Sequence, residues 1–290
     1  ALGAGANREG LRKKMRAQRL MRAAEQFAAV REKLVSQDNY HIYSANLFSC
    51  ADKDASRFLT WCGGDNRLMR LHNPELMHMI RMRCALPPLR NPGEDGCSCS
   101  ASAIGLPDSR HRKYKTNPYE ALSCNGVLAS GKIARHHAVR DLLAKHLNKV
   151  GTTAIEQPVP GAPKLRGDIL FYAHGKRVTI DVTLTAQCAP TLAAKGAWKQ
   201  AGYAADAAWK RKHQTYWRAA EPNAGPGGQC RDVVPFVLEM SGRLFSKSRA
   251  WLERAFGGDK QRLSSFLSEL SYLMASRVGS ALSMGVRAIR

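Results

Sequence analysis

The sequence predicts an α/β fold, a compact core of helix, strand, strand, helix and strand followed by further helices. Three observations carry that expectation. Residues 132–149 repeat apolar positions at helical spacing, with Ile133, His137, Leu142, Leu143, His146 and Leu147 on one side. Residues 165–172 and 176–184 read as two strands across a tight turn at His174-Gly175. Beyond a helical stretch at 193–220 and a loop at 225–228, residues 233–240 form an apolar run of the kind a sheet buries on both faces.

The flanks obey the same rules. Residues 8–35 are expected to form one basic helix, its stripe set by Leu11, Met15, Leu20, Ala24, Phe27 and Leu34. Arg8, Arg12, Lys13, Lys14, Arg16, Arg19 and Arg22 crowd its first half. Such a helix either packs its stripe on a neighbour and leaves the charge in water, or grips a polyanion or an acidic membrane surface. Residues 36–85 hold shorter elements broken at Gly63-Gly64 and Asn73-Pro74, with a helix at 75–83 whose methionines suit a core. Pro87-Pro88, Pro92-Gly93 and Gly96 mark a linker, and residues 97–124 are too poor in apolar side chains to build a core. The C-terminal residues 247–289 read as helical, interrupted near Gly257-Gly258.

Composition narrows the partners. The 290 residues carry 45 Lys and Arg against 23 Asp and Glu, a formal charge of +22. Nucleic acid is the polyanion expected for a basic, aromatic-poor chain. No apolar run approaches the roughly 18 residues that span a bilayer, so no membrane partner is expected. The chain begins at Ala1 rather than Met, as an excised piece of a longer polypeptide would. Eight cysteines are too few for a disulfide scaffold of this length, and they are expected to be reduced, some of them metal-bound.

The sharpest chemical signal lies in the strand pair. A turn centred on His174-Gly175 sets Asp168 directly opposite Asp181. Opposed residues have Cβ atoms about 4.5–5.5 Å apart, and like charges there repel. Two carboxylates so placed on apolar strands need a compensating cation. Mg²⁺ (or Mn²⁺) fits, because it takes one or two carboxylates beside water and phosphate oxygens. The plainer alternative is a hairpin with both aspartates in solvent, neutralised by Arg166 and Lys176. A second candidate site is the spacing Cys97-x-Cys99, then His111, then Cys124, a ligand set suited to Zn²⁺. A metal-free loop is its alternative. Cys84 is a substitute ligand, while Cys188 and Cys230 read as plain buried thiols.

Taken in order, several strings resemble one family. Ala121-Leu122-Ser123-Cys124, Ile133-Ala134-Arg135-His136-His137 with Arg140-Asp141, Arg166-Gly167-Asp168-Ile169-Leu170 and Ile180-Asp181-Val182-Thr183 come first. Lys212 to Tyr216 and Val234-Pro235-Phe236-Val237-Leu238-Glu239 complete the series. It resembles the C-terminal region of site-specific non-LTR retrotransposon polyproteins, nearest the elements that insert into trypanosomatid spliced-leader genes. There, a Cys/His knuckle precedes a restriction-enzyme-like PD-(D/E)xK endonuclease.

The resemblance implies an α-β-β-β-α-β core with flanking helices. It divides the chain into a basic helical region at 1–85, a knuckle at 86–130, the nuclease core at 131–240 and a helical tail at 241–290. Asp168 and Asp181 would hold the metal, and a later helix would supply the catalytic lysine, Lys212 first and Lys210 second. Thr183 stands at the D-x-K lysine position, Gly167 where the family has Pro, Thr215 for a second lysine, and Glu120 where a knuckle histidine is usual. Asp141 either reaches metal through water or pairs with Arg140 or Lys145, and Glu239 supports the site from behind. Arg135 and His136 either orient phosphate or stabilise the fold. Nucleic-acid contacts are expected from Arg12, Lys13, Lys14, Arg16, Arg19, Arg166 and Tyr216. Implied partners are a duplex DNA target, the element's RNA and other domains of the polyprotein, in the nucleus. The competing classes are a binding module that grips without cutting and a structural protein of a ribonucleoprotein.

Overall fold

The structure, a computed structural model, describes residues 40–59, 73–84, 129–159, 162–220 and 233–287, together with Glu25, Ala29, Leu71, Tyr119 and Leu122. Backbone contacts divide the chain between Tyr40 and His41, whereas the sequence suggests a first boundary after residue 85. Within Ala1–Tyr40, Glu25 and Ala29 are helical and exposed, inside the basic helix expected at 8–35. The sheet lies within His41–Arg290.

The elements are α1 (Tyr40–Cys50), a 3-10 turn (Arg57–Leu59), α2 (Asn73–Arg83), α3 (Ala129–Leu147), β1 (Thr152–Val159), β2 (Ala162–Ala173), β3 (Lys176–Thr185), α4 (Tyr203–Ala220), β4 (Val233–Glu239), α5 (Ser246–Ala255) and α6 (Lys260–Arg287). The four strands form one mixed sheet in the order β1-β2-β3-β4. The first three run antiparallel and β4 lies parallel to β3, so the chain crosses over through α4. The class is therefore mixed α/β, as the sequence predicts. The one strand that patterning alone does not find is β1.

The hairpin β2–β3 turns at His174 and Gly175, which take φ of 49° and 71°. Two successive positive φ values are what a two-residue turn between twisted strands requires. The register then runs from Ala173↔Lys176 to Ile169↔Ile180. β3 is central and buried over residues 179–183, and β4 is buried over its last five residues. Pro235, which cannot donate to a ladder, sits on this outer strand, opposite Asp181.

Alternation along β4 sorts the helices into two layers. Val237 packs with Ala205, Ala208, Phe245 and Trp209 on one face. The ring of Phe236 meets Phe266 of α6 on the other, at 6.3 Å. The α6 layer carries most of the remaining core, with Leu267, Leu270, Met274 and Val278 buried. α2 packs there, burying Met79 and Met82; Pro74 occupies its first turn, where a missing N–H is harmless. α3 is tied to α6 by Glu269, which accepts from Lys145 Nζ at 2.9 Å and lies 3.0 Å from His146 Nε2.

Two details differ from expectation. The inner row of α3 is Arg135, Val139, Leu143 and Leu147, whereas Ile133 and His137 are exposed. Val139 and Leu143 set the phase, and one turn back from them the row reaches Arg135. The helix expected over 193–220 is also broken. A π turn at Ala193–Ala197 precedes α4, and Gly196 and Gly202 take φ of 157° and 77°. Those conformations suit glycine and end a helix.

Candidate active site

The site is built where β2 and β3 meet side chains from α3 and α4. The hairpin ladder runs to Ile169↔Ile180, and Asp168 and Asp181 are the next residue on each strand. Neither of the two surface cations proposed from sequence neutralises them. Asp181 is only 6% exposed. Its Oδ1 accepts from Lys212 Nζ at 3.2 Å and from the Tyr216 hydroxyl at 2.8 Å. Its Oδ2 accepts from the Thr183 hydroxyl at 3.1 Å and also lies 3.2 Å from Lys212 Nζ. Lys212 and Tyr216 are four apart on α4, one turn of one helix face, which is why both reach the same carboxylate. Thr183 is two residues along β3 from Asp181, on the same side of the strand.

Asp168 is held differently. Its Oδ2 accepts the Val182 backbone N–H at 2.6 Å and lies 3.2 Å from His136 Nε2. The same nitrogen is 3.0 Å from the Val182 carbonyl oxygen. With two acceptors around it, Nε2 is the protonated nitrogen. The hydrogen bond to Asp168 raises the His136 pKa, against the lowering by burial, and the charges of Asp168 and Asp181 add to the rise. The imidazolium form is thereby favoured.

A third acid belongs to this row. Ile155↔Ile169 and Gln157↔Gly167 bracket a step at which Glu156 of β1 faces Asp168. Glu156 takes a φ of 54° and pairs with Arg140 Nη1 at 2.5 Å, while Arg140 Nε holds Asp141 at 2.8 Å. Arg140 lies one helical turn beyond His136 on α3. Sequence patterning misses Glu156 because Pro158, Pro160, Gly161 and Pro163 obscure β1. Its signal is the i, i+4 spacing of His136 and Arg140.

The other candidates sit at varied distances from this row. Lys210 is not brought to the carboxylates; its side chain is 70% exposed and pairs with Asp206 at 2.7 Å. Tyr216, expected at nucleic acid, is buried instead, its ring among Val159, Leu165 and Val233. Asp141 is exposed and engaged by Arg140, and Arg166 is exposed on β2 opposite Pro158. Arg135 is 2% exposed, with Nε and Nη2 lacking any hydrogen-bond partner. Glu239 is buried where β4 ends. Its Oε1 accepts the Ala205 N–H at 3.3 Å in the first turn of α4, and Oε2 accepts from Ser49 of α1. Burial pushes its carboxyl pKa up.

Gly167 has a local reason for replacing a larger residue. A Cβ there would stand 2.1 Å from Thr179 Cγ2, which no side chain tolerates. Cys50 and Cys188 are buried thiols pushed up to about 12, chiefly by burial, and Cys84 is exposed. Cys97, Cys99, His111 and Cys124, with Cys230 and the basic residues Arg12, Lys13, Lys14, Arg16 and Arg19, lie outside the described residues.

Among the described residues no group of three or more His, Cys, Asp and Glu is arranged to hold a metal ion. The donor chemistry of Asp168 and Asp181 still suits a hard divalent cation, which takes one or two carboxylates beside water and phosphate. Asp168 Oδ1 accepts no hydrogen bond among the described residues. No described helix is long and apolar enough to cross a membrane. The chain matches no protein-family profile and no curated protein.

Proposed function

We propose that this chain is a metal-dependent DNA endonuclease of a retroelement, with Asp168 and Asp181 as its metal carboxylates and Lys212 as its catalytic lysine. The single observation that carries this reading is the convergence of Lys212 and Tyr216 on Asp181, beside Asp168 on the adjacent strand. The element order α3-β1-β2-β3-α4-β4 supports a restriction-endonuclease-like core.

A bound Mg²⁺ or Mn²⁺ supplies Lewis-acid activation of water and charge stabilisation at phosphate. The chain's own groups do the rest. Asp181 is oriented by Thr183 and Tyr216, so its oxygens keep one direction without help from solvent. Asp168 is fixed through Oδ2 by the Val182 N–H and by His136, which leaves Oδ1 to take a ligand. Lys212 is 34% exposed and holds its ammonium beside Asp181, within reach of a phosphate that binds there. There it offsets the charge that develops on the phosphate oxygens. Cutting one strand of a duplex leaves a 3′-hydroxyl, the primer a reverse transcriptase needs. A zinc knuckle at Cys97, Cys99, His111 and Cys124, contact with the element's RNA and a nuclear site of action belong to the same proposal.

A second reading has one observation in its favour. Lys212, His136 and Arg140 already neutralise the acids, as in a fold that binds nucleic acid without cutting. Plasmid nicking separates the two. Supercoiled DNA with Mg²⁺ or Mn²⁺ should be nicked by the wild type and by Lys210→Met, and not by Asp181→Ala or Lys212→Met. Equal nicking by wild type and Asp181→Ala, or none by either, favours the binding module.

A further inference from the structure

Arg135 breaks the pattern of its own helix face. The inner row of α3 continues Val139, Leu143 and Leu147, all apolar and buried, and ends in a guanidinium that is 2% exposed. That group stays charged at neutral pH. Hiding a charge without a partner is strongly unfavourable. The acids that pair with α3 are engaged by its other residues: Glu156 and Asp141 by Arg140, Glu269 by Lys145 and His146, Asp168 by His136. Nε and Nη2 of Arg135 have no hydrogen-bond partner at all.

The side chain also points somewhere specific. Its Nη1 lies 3.6 Å from where a Cβ on Gly131 would stand, so it runs back toward the amino end of a 19-residue helix. That first turn contains no acidic side chain. The first-turn N–H groups and the helix dipole present positive charge in the same direction as the guanidinium. A helix start alone is common. Combined with an unpartnered, buried arginine aimed at it, the arrangement lacks an anion.

We propose that Arg135 and the first turn of α3 form a phosphate-binding subsite, filled by a nucleic-acid phosphodiester that neighbours the scissile one. The identity of the occupant rests on the nuclease reading, since the next residue, His136, holds Asp168. The anion itself does not depend on that reading.

The test compares wild type with Arg135→Met, which keeps length and helix propensity, and Arg135→Lys, which keeps charge. Duplex binding is followed by fluorescence anisotropy in EDTA, so that cutting plays no part. Arg135→Met should melt at a higher temperature than wild type, because a lone buried charge is gone. It should bind duplex about tenfold more weakly, the loss of one charge-assisted contact. Its slope of log K against log salt should be shallower by about 0.9, one phosphate contact fewer. Arg135→Lys should restore the slope but not the full affinity. Inorganic phosphate should raise the melting temperature of wild type and not that of Arg135→Met.

A lower melting temperature or an unfolded Arg135→Met protein overturns the proposal, because it makes Arg135 a structural residue. So does an unchanged salt slope, or a wild type that binds no duplex. A wild type that binds as described yet never nicks leaves the subsite standing and sinks the nuclease instead.

Discussion

Tyr216→Phe removes one oxygen and nothing else. The ring is held by Val159, Leu165 and Val233, and phenylalanine fills that space equally well. What is lost is the hydroxyl donated to Asp181 Oδ1 at 2.8 Å, with both groups buried. A hydrogen bond to a charged acceptor contributes about 1.5–3 kcal/mol. Oδ1 keeps Lys212 at 3.2 Å, which compensates in part, so the lower end applies. A loss of about 1.5 kcal/mol corresponds to a fall of about 3–6 °C in melting temperature for a domain of this size. Calorimetry on the purified chain reads it directly. In an Asp181→Asn background the same change should cost about half as much, since a neutral acceptor gains only about 0.5–1.5 kcal/mol. Equal losses in both backgrounds, or a Tyr216→Phe protein that melts with the wild type, would refute the claim that Tyr216 acts through Asp181.

Two further outcomes are expected from the site's surroundings. Gly167→Ala should destabilise by about 1–3 kcal/mol through overpacking against Thr179 Cγ2 at 2.1 Å. Thr179→Ser removes that methyl and leaves the next contacts at 3.6 and 3.7 Å, so the double variant should recover most of the loss in urea melts; no recovery means the strain lies elsewhere. The raised pKa of Glu239 makes a pH prediction. Below the ordinary value of 4.5 the carboxyl is neutral folded or unfolded, and its full contribution to stability is present. As pH rises past 4.5 the unfolded chain ionises first, and stability is lost until the folded pKa is reached. Glu239→Gln cannot ionise, so melting curves from about pH 4 to pH 8 should show it gaining on wild type as pH rises; a constant difference contradicts the buried-carboxyl assignment.

The elements legible in the sequence are those whose signals are local. The β2–β3 register is set by one turn, because His174-Gly175 fixes every pair up to Ile169↔Ile180. The break at Gly257-Gly258 is visible for a similar reason, and both residues take positive φ between α5 and α6. β1 is hidden because prolines interrupt its apolar pattern and because it pairs with β2 from one side only. Glu156 and its place in the acid row are hidden with it. The roles within the carboxylate pair also escape, since they depend on which helix face meets which strand. Tyr216 is expected at nucleic acid, and only the packing of α4 against β3 turns its hydroxyl inward. Lys210 and Lys212 cannot be told apart by composition. They are two residues apart on a helix, so one faces the sheet when the other faces Asp206 and solvent.

Glu156, Asp168 and Asp181 stand on three neighbouring strands, where like charges would repel one another without help. Each acid has its own cation from a helix: Arg140 and His136 from successive turns of α3, and Lys212 from α4. Glu156 keeps a left-handed backbone that costs a non-glycine residue about 1–3 kcal/mol, and its partner is one of those cations. The helices are therefore docked partly by the charges of the site itself. Lys212 and His136 are also both occupied in the free protein, with charges that match the acids they touch. On the nuclease reading, they turn toward a phosphate only when other positive charge replaces them on the carboxylates. Binding of the metal and binding of the phosphate then favour each other, because either alone leaves an unpaired charge in a partly buried row. The same pairing that makes the fold look self-neutralised is what ties those two events together.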